Sequence, residues 1–283
     1  MSEEILKMVF GKVPETFLYV GGNVKRYVGY EIVKGKGLYL IDYLPRLGDY
    51  LWLKPVKSKI AHGMIKRVNY ERALKIPGVV GVVTQNDVPG VKFYGYVIPD
   101  QPVLASDRVR FAGETIALLA GKDPDTLEEA VNEVEVDYEP LPVIIDPLEA
   151  MKPDAYKIHE TGNVLCHYKI RRGNVEEGFS RADVIVENTY LTHQQEHAYM
   201  ETEGAIVIPE AGDSYTIITP SQEPFGVRRV VSQVLNVPEH KINVIVPLIG
   251  GGFGGKVDAT MDMSAKAAVA AYKFRKPVVL IHN

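Results

Sequence analysis

The spacing of apolar positions changes along the chain, and it predicts where helices and strands lie. Residues 1–50 show neither a helical period nor a long alternation, which favours an irregular arm with short strands. From Tyr50 onwards, strand-like runs alternate with short helical segments. The clearest pair is a buried strand, ETIALLAG, followed by a helix that Asp123 caps and Pro124 begins. This mixture predicts an α+β fold up to about residue 150.

After residue 150 the pattern becomes more regular. The stretch NVLCHYKIRRGNVEEGFSRADVIVENTYLT predicts a strand, a short helix and a second strand. Beyond it the letters SYTIIT, PFGVRRVVSQVLN and KINVIVPLI, then a helix from about Met261 to Phe274 and the strand PVVLIHN, predict a β-α-β-α-β unit. The prolines in YEPLPVIIDPLEAM place a domain boundary near residue 150. Because the last strand has no capping helix, we expect another segment to complete the second domain.

Composition and charge exclude several classes of function. The 283 residues are 46% apolar and 24% charged, and the formal net charge of -4 comes with basic residues that are spread along the chain. This distribution favours neither nucleic acid nor an anionic membrane as a partner. No apolar run approaches the roughly 20 residues that cross a bilayer, and the N-terminal glutamates do not fit a secretory signal, so we expect a cytoplasmic protein.

Cysteine content limits the redox chemistry that this chain can support alone. Its single cysteine, Cys166, excludes an internal disulfide, a multi-cysteine zinc site and a four-cysteine iron–sulfur cluster. We expect this thiol to be buried and to act as a small apolar residue.

The letters IGGGFGGKV at residues 249–257 follow a predicted strand and contain five glycines. Glycine adopts backbone conformations that side chains forbid, so the loop either packs strand and helix closely or directs N–H groups at an anion. Gly250, Gly252 and Gly255 also fit the dinucleotide-binding fingerprint, but no acidic residue follows Asp262 to hold a ribose. The glycines alone leave the packing and anion-binding interpretations open.

Two other motifs suggest alternative functions. The stretch Gly250–Lys256 fits the G-x-x-x-x-G-K of a P-loop nucleotide-binding protein, although Val257 stands where a magnesium-binding hydroxyl is needed. The H-x-x-E-H pattern of one class of zinc peptidases requires both histidines on one face of a helix, whereas β-branched, alternating residues precede it here and favour a polar turn. That pattern is matched by His193, Glu196 and His197.

Several segments taken together resemble one family. The stretch SQEPFGVRRVVSQVLNVPEHKINVIVPLIGGGFGGK resembles the first cofactor-binding stretch of the molybdopterin-binding large subunit in the xanthine dehydrogenase, aldehyde oxidase and carbon monoxide dehydrogenase family. The segments VGYEIVKGKGLYLIDYLP, FAGETIALLAG, VEVDYEPLP, IRRGNVEEGF and QEHAYMETEGA resemble other family segments in the expected order. This ordered set is far more specific than one glycine motif.

The resemblance implies a fold and a reaction. After an arm of residues 1–20, it implies an α/β hammerhead domain over residues 20–150 and the first part of a molybdopterin-binding domain over residues 151–283. In the family the pterin, rather than the protein, holds molybdenum. The implied reaction is oxidation or hydroxylation of an aldehyde, a heterocycle or a similar small molecule, with water as the oxygen source. Electrons would then pass to an iron–sulfur small subunit and an FAD-binding medium subunit.

The resemblance also assigns roles to individual residues. Gln222 resembles a glutamine whose side chain approaches an oxygen ligand of molybdenum, and Phe253 lies in the glycine loop beside the metal. Around it, Gly251, Gly252 and Gly254 would bring backbone N–H groups close to the cofactor. We expect that cofactor to be molybdopterin in its cytosine dinucleotide form.

Val257 and the length of the chain set further expectations. Val257 stands where xanthine-oxidising relatives carry a substrate-contacting glutamate, which argues against a purine substrate. The family's general-base glutamate and its remaining cofactor contacts would lie outside these residues. We therefore expect the chain to be inactive alone and to need a second chain that carries the rest of the molybdopterin-binding domain.

Overall fold

The computed structural model describes residues 19–22, 24–95 and 97–282. It contains two compact units, residues 1–38 and residues 39–283. The described part of the first unit forms one short helix, α1, at Gly29–Val33. The predicted arm of residues 1–20 lies almost wholly outside the described residues.

The short strands predicted before residue 50 are wrong for the described residues. The second unit opens instead with a 3-10 helix at Leu40–Arg46. The Tyr39 N–H donates a hydrogen bond of 2.9 Å to the Asp42 carboxylate, which satisfies a backbone donor at the start of that helix. Such a local polar contact leaves no mark on the hydropathy pattern, so periodicity could not show it.

Seven strands of the second unit form one mixed sheet. In spatial order they are β11 (Ile242–Ile245), β10 (Ser214–Ile218), β9 (Gly204–Glu210), β12 (Val278–Ile281), β1 (Leu51–Lys57), β7 (Thr115–Gly121) and β3 (Val79–Val83). Shorter pairings are made by β6 (Arg108–Val109), β2 (Gly63–Asn69) and β8 (Glu135–Pro140), and by β4 (Phe93–Tyr94) with β5 (Gln101–Pro102).

The large sheet passes through both predicted domains. It takes β1, β3 and β7 from residues before 150 and its other four strands from residues after 150. At the junction β1 runs parallel to β12, with Leu51 opposite Val278, and the Leu51 N–H donates to the Pro277 carbonyl oxygen at 2.9 Å. The boundary near residue 150 stays a prediction, and main-chain hydrogen bonds connect the two sides of it.

Three of the described helices pack on the large sheet: α2 (Pro124–Asn132), α5 (Pro224–Leu235) and α6 (Asp258–Phe274). Two shorter helices, α3 (Pro147–Ala150) and α4 (Val175–Ser180), have no buried residues. As predicted, Asp123 caps α2, and its Oδ2 accepts a hydrogen bond of 2.7 Å from the Thr126 N–H. Small residues such as Ala267 and Ala271 let α6 pack closely in the main core. Among the described residues, no helix has the length and apolar character to cross a bilayer.

The predicted β-α-β-α-β unit is confirmed as β10-α5-β11-α6-β12, with β10 and β11 parallel. Sequence spacing missed β9, which precedes this unit and pairs antiparallel with β10 across the turn at residues 210–214. Its apolar residues 205–207 are all buried, so no alternation marks the strand.

The strands predicted on either side of α4 are wrong. Residues 163–174 and 182–199 form no helix and pair with no strand in the described part of the chain. Their apolar side chains are exposed, with Ile170 at 94% and Leu191 at 93%, and Cys166 is exposed where a buried thiol was expected. The alternation is present, but a strand also needs a hydrogen-bonding neighbour, which only the tertiary structure supplies.

Glu114 is a buried carboxyl group in this fold, with 5% of its surface exposed. Burial raises the pKa of Glu114, although its Oε2 accepts a hydrogen bond of 2.6 Å from the Arg110 N–H. Because the folded pKa lies above the unfolded one, this group contributes stability at low pH that is lost as the pH rises through the folded pKa.

We therefore predict that Glu114→Gln raises the melting temperature at pH 7 more than at pH 4, because the amide keeps an acceptor oxygen without a buried charge. Thermal unfolding at both pH values measures this. The exposed Glu139, whose side chain is 56% accessible, provides the control Glu139→Gln. An equal gain for Glu114→Gln at the two pH values would contradict the prediction.

Candidate functional site

The glycine-rich loop, residues 246–257, connects the edge strand β11 to helix α6. Gln222 lies in the neighbouring connection, between β10 and α5. Since β10 and β11 are parallel neighbours, both connections begin at the carboxyl ends of these strands and therefore lie close together. The Gln222 N–H donates to the Lys256 carbonyl oxygen at 2.8 Å, which joins the two connections directly.

At two glycines of the loop, other side chains of the protein occupy the space that a Cβ atom would need. A Cβ added at Gly250 would lie 2.5 Å from the Cβ of Glu201, and one at Gly252 would lie 2.7 Å from Gln222 Oε1. Neither position accepts a larger residue without displacing its neighbour. The close-packing interpretation is therefore correct for these two glycines.

Tyr199 occupies the space that a Cβ atom would need at two more glycines of the loop. A Cβ at Gly251 would lie 2.8 Å from the Tyr199 Cβ, and one at Gly255 would lie 2.8 Å from Tyr199 Cε1. Tyr199 and Glu201 therefore both place their side chains against the loop, although the chain bends at residues 200 and 201 and Ala198 has a φ of 49°.

The tip of the loop is exposed and strained. Phe253 has a φ of 48°, in the left-handed region, and 75% of its surface is accessible. Gly254 has a φ of 94° and open space where a Cβ would lie. A left-handed non-glycine residue costs roughly 1–2 kcal/mol. Such strain, combined with an exposed aromatic ring, is typical of a surface that contacts a ligand or a partner.

Backbone donors at the tip are available to a ligand. The Gly250 N–H donates to Glu201 Oε2 at 2.8 Å, and the Gly255 N–H donates to the Gly252 carbonyl oxygen at 2.7 Å. Between them, the N–H groups of residues 251–254 make no hydrogen bond to any described residue. Phe253 and Gly254 are exposed and Gly251 is half-buried, whereas Gly252 is buried, so the donors at the tip can bind a ligand that carries several acceptor atoms.

The Gln222 side chain adds a further donor beside the loop. Its Oε1 accepts a hydrogen bond of 3.2 Å from the Lys256 N–H. This bond orients the amide, because with Oε1 against the loop the Nε2 group keeps both its N–H donors for another partner. Residue 222 is exposed, so these donors are accessible. The structure therefore brings Gln222 together with Gly251, Gly252, Phe253 and Gly254.

Lys256 points into the protein. Its side chain is fully buried, and its Nζ lies 2.9 Å from Glu201 Oε2 and 4.8 Å from the centre of the Tyr199 ring. A P-loop lysine must reach outward to phosphate oxygens. The P-loop interpretation of Gly250–Lys256 is therefore wrong, because motif spacing does not report the direction of a side chain.

The other two motif interpretations are also wrong. The fingerprint glycines face protein side chains, and α6 begins only at Asp258, after the motif has ended. The candidate zinc ligands lie on extended chain, and His193 Nε2 is 3.2 Å from Gln195 Oε1. Within residues 19–22, 24–95 and 97–282 no group of three histidine, cysteine, aspartate or glutamate side chains could hold a metal ion. Glu196 and His197 therefore belong to no such group.

Val257 immediately precedes α6. Its side chain is half-buried and packs against the main core. Its predicted place in a substrate pocket stays a prediction.

A polar cluster anchors α6, the helix that follows the loop. Asp262 accepts hydrogen bonds from the Tyr94 hydroxyl and, at 3.1 Å, from Gln101 Nε2. Lys266 Nζ lies 2.5 Å from Asp262 Oδ2 and 3.0 Å from Thr115 Oγ1. Burial, together with the charge of Asp262, raises the pKa of Tyr94 well above its usual value, so the phenol stays a donor. Residues before 150 thereby position the helix to which the loop is attached.

Sequence reasoning missed Tyr199 and Glu201, the residues that support the loop from below. They lie in QEHAYMETEGA, where Tyr199, Glu201 and Glu203 alternate with other residues. The structure has bends at residues 200 and 201 rather than a strand, so this alternation did not by itself predict that Tyr199 and Glu201 would contact the same loop. The sequence alone did not show which residues these two side chains would contact.

The chain matches two protein families. Residues 34–142 match the a/b hammerhead domain of aldehyde oxidase and xanthine dehydrogenase, and residues 158–283 match the molybdopterin cofactor-binding domain. The chain belongs to the xanthine dehydrogenase and aldehyde oxidase family. The family resemblance and the fold class predicted from the sequence are both confirmed.

Individual members of the family are similar over most of the chain. A probable xanthine dehydrogenase subunit from Bacillus subtilis is 39% identical over 247 residues, which cover 87% of this chain and 33% of the relative. The nicotinate dehydrogenase large molybdopterin subunit of Eubacterium barkeri is 30% identical over 264 residues, which cover 93% and 61% of the two chains. The structure of reconstituted CO dehydrogenase from Oligotropha carboxidovorans has a TM-score of 0.78 at 31% identity, over 93% of this chain and 35% of that one.

The chain thus spans from 33% to 61% of the length of these family members. Both domain families are represented within that span, and the glycine loop lies in the molybdopterin cofactor-binding domain.

We predict that Gly250→Ala lowers the free energy of unfolding by about 1–3 kcal/mol, because the added methyl group would lie 2.5 Å from the Glu201 Cβ, which cannot move without its backbone. Urea unfolding of the chain measures the change. Gly178→Ala is the matched control, since that glycine lies in α4 with open space around it and no positive φ. Equal stability of the two variants would show that Gly250 is not required for packing.

Proposed function

We propose that the glycine loop and Gln222 form one wall of a molybdopterin site in a molybdenum hydroxylase. One observation carries the proposal: the unpaired backbone donors of the exposed residues Phe253 and Gly254 and the exposed Gln222 amide are available beside the glycine loop of a molybdopterin cofactor-binding domain. The proposed reaction is oxidation or hydroxylation of a small molecule with water as the oxygen source.

The donors at this surface fit the cofactor. The N–H groups and the amide are uncharged, so they can hydrogen-bond to oxygen and sulfur atoms around the metal without adding charge. The residues described here include no metal-ligand cluster, which suits a metal held through pterin sulfurs. The exposed ring of Phe253 supplies an apolar contact at the tip of the loop.

Each residue has a defined part in the proposed mechanism. Bound molybdopterin supplies the two-electron oxidation and the site at which oxygen derived from water is transferred. Gln222 would donate from Nε2 to an oxygen atom of the cofactor, while its Oε1 stays on the Lys256 N–H and holds the amide in place. The N–H groups of Phe253 and Gly254 at the loop tip would orient the cofactor, and the Phe253 ring would exclude water from that side.

The proposed substrate is an aldehyde, a heterocycle or a similar small molecule rather than a purine. Val257 carries no charge or hydrogen-bonding group, so it cannot hold a polar purine edge as a glutamate does. Val257 is the last residue of the loop, and its side chain packs against the main core.

Electron transfer requires partner chains in this proposal. The only cysteine, Cys166, cannot by itself hold an iron–sulfur cluster, so we assign the clusters to a small subunit and FAD to a medium subunit. In this proposal, polypeptide outside the described residues supplies the remaining contacts of the cofactor. We expect the cofactor in its cytosine dinucleotide form and the complex in the cytoplasm.

We predict that Gln222→Ala and Phe253→Ala each abolish most turnover of the purified complex while leaving its subunit composition unchanged, because both residues face the cofactor. Turnover with a panel of aldehydes and heterocycles, together with native mass spectrometry, measures the two effects. Gln233→Ala is the matched control, since Gln233 is an exposed amide on α5. Full turnover in both site variants would refute the proposed wall.

We also predict that the chain purified with its natural partners contains molybdenum, whereas the chain produced alone contains little. One wall leaves much of the cofactor in water, so its affinity should be low. Metal analysis of both preparations, with the masses of the co-purifying chains, decides this. Stoichiometric molybdenum in the isolated chain would contradict the need for a second chain.

A further inference from the structure

The Glu201 carboxylate binds both Gly250 and Lys256, the first and last residues of the glycine-rich segment 250–256. At the start of the loop, the Gly250 N–H donates to Glu201 Oε2 at 2.8 Å, and the Glu201 N–H donates back to the Gly250 carbonyl oxygen at 3.2 Å. At the end of the loop, Lys256 Nζ lies 2.9 Å from the same Oε2 atom. We call Glu201 and Lys256 the loop clamp.

The clamp is also connected to Gln222. The main chain of Lys256 exchanges two hydrogen bonds with Gln222, from its N–H to Oε1 at 3.2 Å and from the Gln222 N–H to its carbonyl oxygen at 2.8 Å. Lys256 therefore contacts Glu201 through its side chain and Gln222 through its backbone. A change in the position of Lys256 would move both the loop and the amide.

The surroundings of the clamp restrict its geometry. The Lys256 side chain is fully buried beside the Tyr199 ring, and Glu201 Oε1 accepts a third hydrogen bond, of 3.3 Å, from the Leu40 N–H. The hydrogen bonds that this carboxylate accepts from Gly250, Leu40 and Lys256 each require a particular direction of approach. A buried ion pair contributes little net stability compared with an apolar pair of similar size, but it selects one arrangement over others. That balance favours a role in positioning.

We propose that the Glu201–Lys256 clamp is a positioning device that sets the backbone of residues 250–256 and, through Lys256, the direction of the Gln222 amide. The clamp itself is independent of the ligand. The statement that the positioned groups face molybdopterin rests on the proposed function.

The test compares Glu201→Gln, Lys256→Met and the double variant in the complex purified with its natural partners. Hydrogen exchange of the peptide covering residues 246–257 reports the loop, and thermal unfolding reports stability. The control is Glu128→Gln, which breaks the more exposed pair between Glu128 and Lys54. Loss of a charge-assisted hydrogen bond should accelerate loop exchange at least about tenfold in each single variant, but not in the control.

The double variant separates positioning from stability. It leaves no unpaired buried charge, so it remains informative even where a single variant fails to fold. We expect its melting temperature to recover towards that of the natural complex while its loop exchange stays fast. If loop exchange recovers with the melting temperature, or is never faster than in the control, the positioning role is overturned.

A third measurement distinguishes failure of this inference from failure of the proposed function. In complex that contains molybdenum, the double variant should alter the electron paramagnetic resonance signal of the half-reduced metal and lower kcat more than it raises KM. An unaltered signal and kcat would overturn the positioning of the cofactor-facing groups. A natural complex without molybdenum would refute the proposed function, and hydrogen exchange alone would then decide for or against the clamp.

Discussion

The parallel pairing of β1 with β12 is the contact on which the position of the glycine loop depends. It joins strands from distant parts of the chain at the middle of one sheet, with Leu51 opposite Val278 and Trp52 opposite Val279. Helix α6 leads directly into β12, so the sheet holds one end of it. The polar cluster around Asp262 holds α6 near its other end, where the loop ends. A loop between an edge strand and a doubly anchored helix has little freedom to move.

The glycines of the loop serve two physical purposes at once. Those with Cβ positions closed by Glu201, Gln222 or Tyr199 allow the backbone to lie directly on these side chains. This close packing leaves Phe253 and Gly254 at the exposed tip, where their N–H groups have no hydrogen-bond partner among the described residues. The same glycines therefore fitted both a nucleotide-binding motif and a close-packing role, because each of these requires backbone that carries no side chain. The direction of Lys256, inward to Glu201, separates the two.

Exposed apolar side chains are numerous among residues 163–199, and Phe253 is exposed at the loop tip. Residues such as Ile170 and Leu191 are almost fully accessible although their sequence is strand-like. Apolar surface of this extent normally contacts other polypeptide. Family members that are longer than this chain provide a context in which both surfaces can be covered.

Local pattern was sufficient for the helices and strands whose stability depends on their own residues. The cap at Asp123, the apolar stripe of α5 and the strands β1, β7 and β10 follow from spacing and composition, and the ordered motifs identified the family. The same motifs placed Gln222 and the glycine loop in one predicted site. Three conclusions required the tertiary structure: the strand-like residues around α4 have no pairing partner among the residues described, Lys256 is buried against Glu201, and Tyr199 lies beneath the loop. Each depends on which residues, distant in sequence, become neighbours, and hydrogen bonding and burial are decided by those neighbours rather than by local sequence.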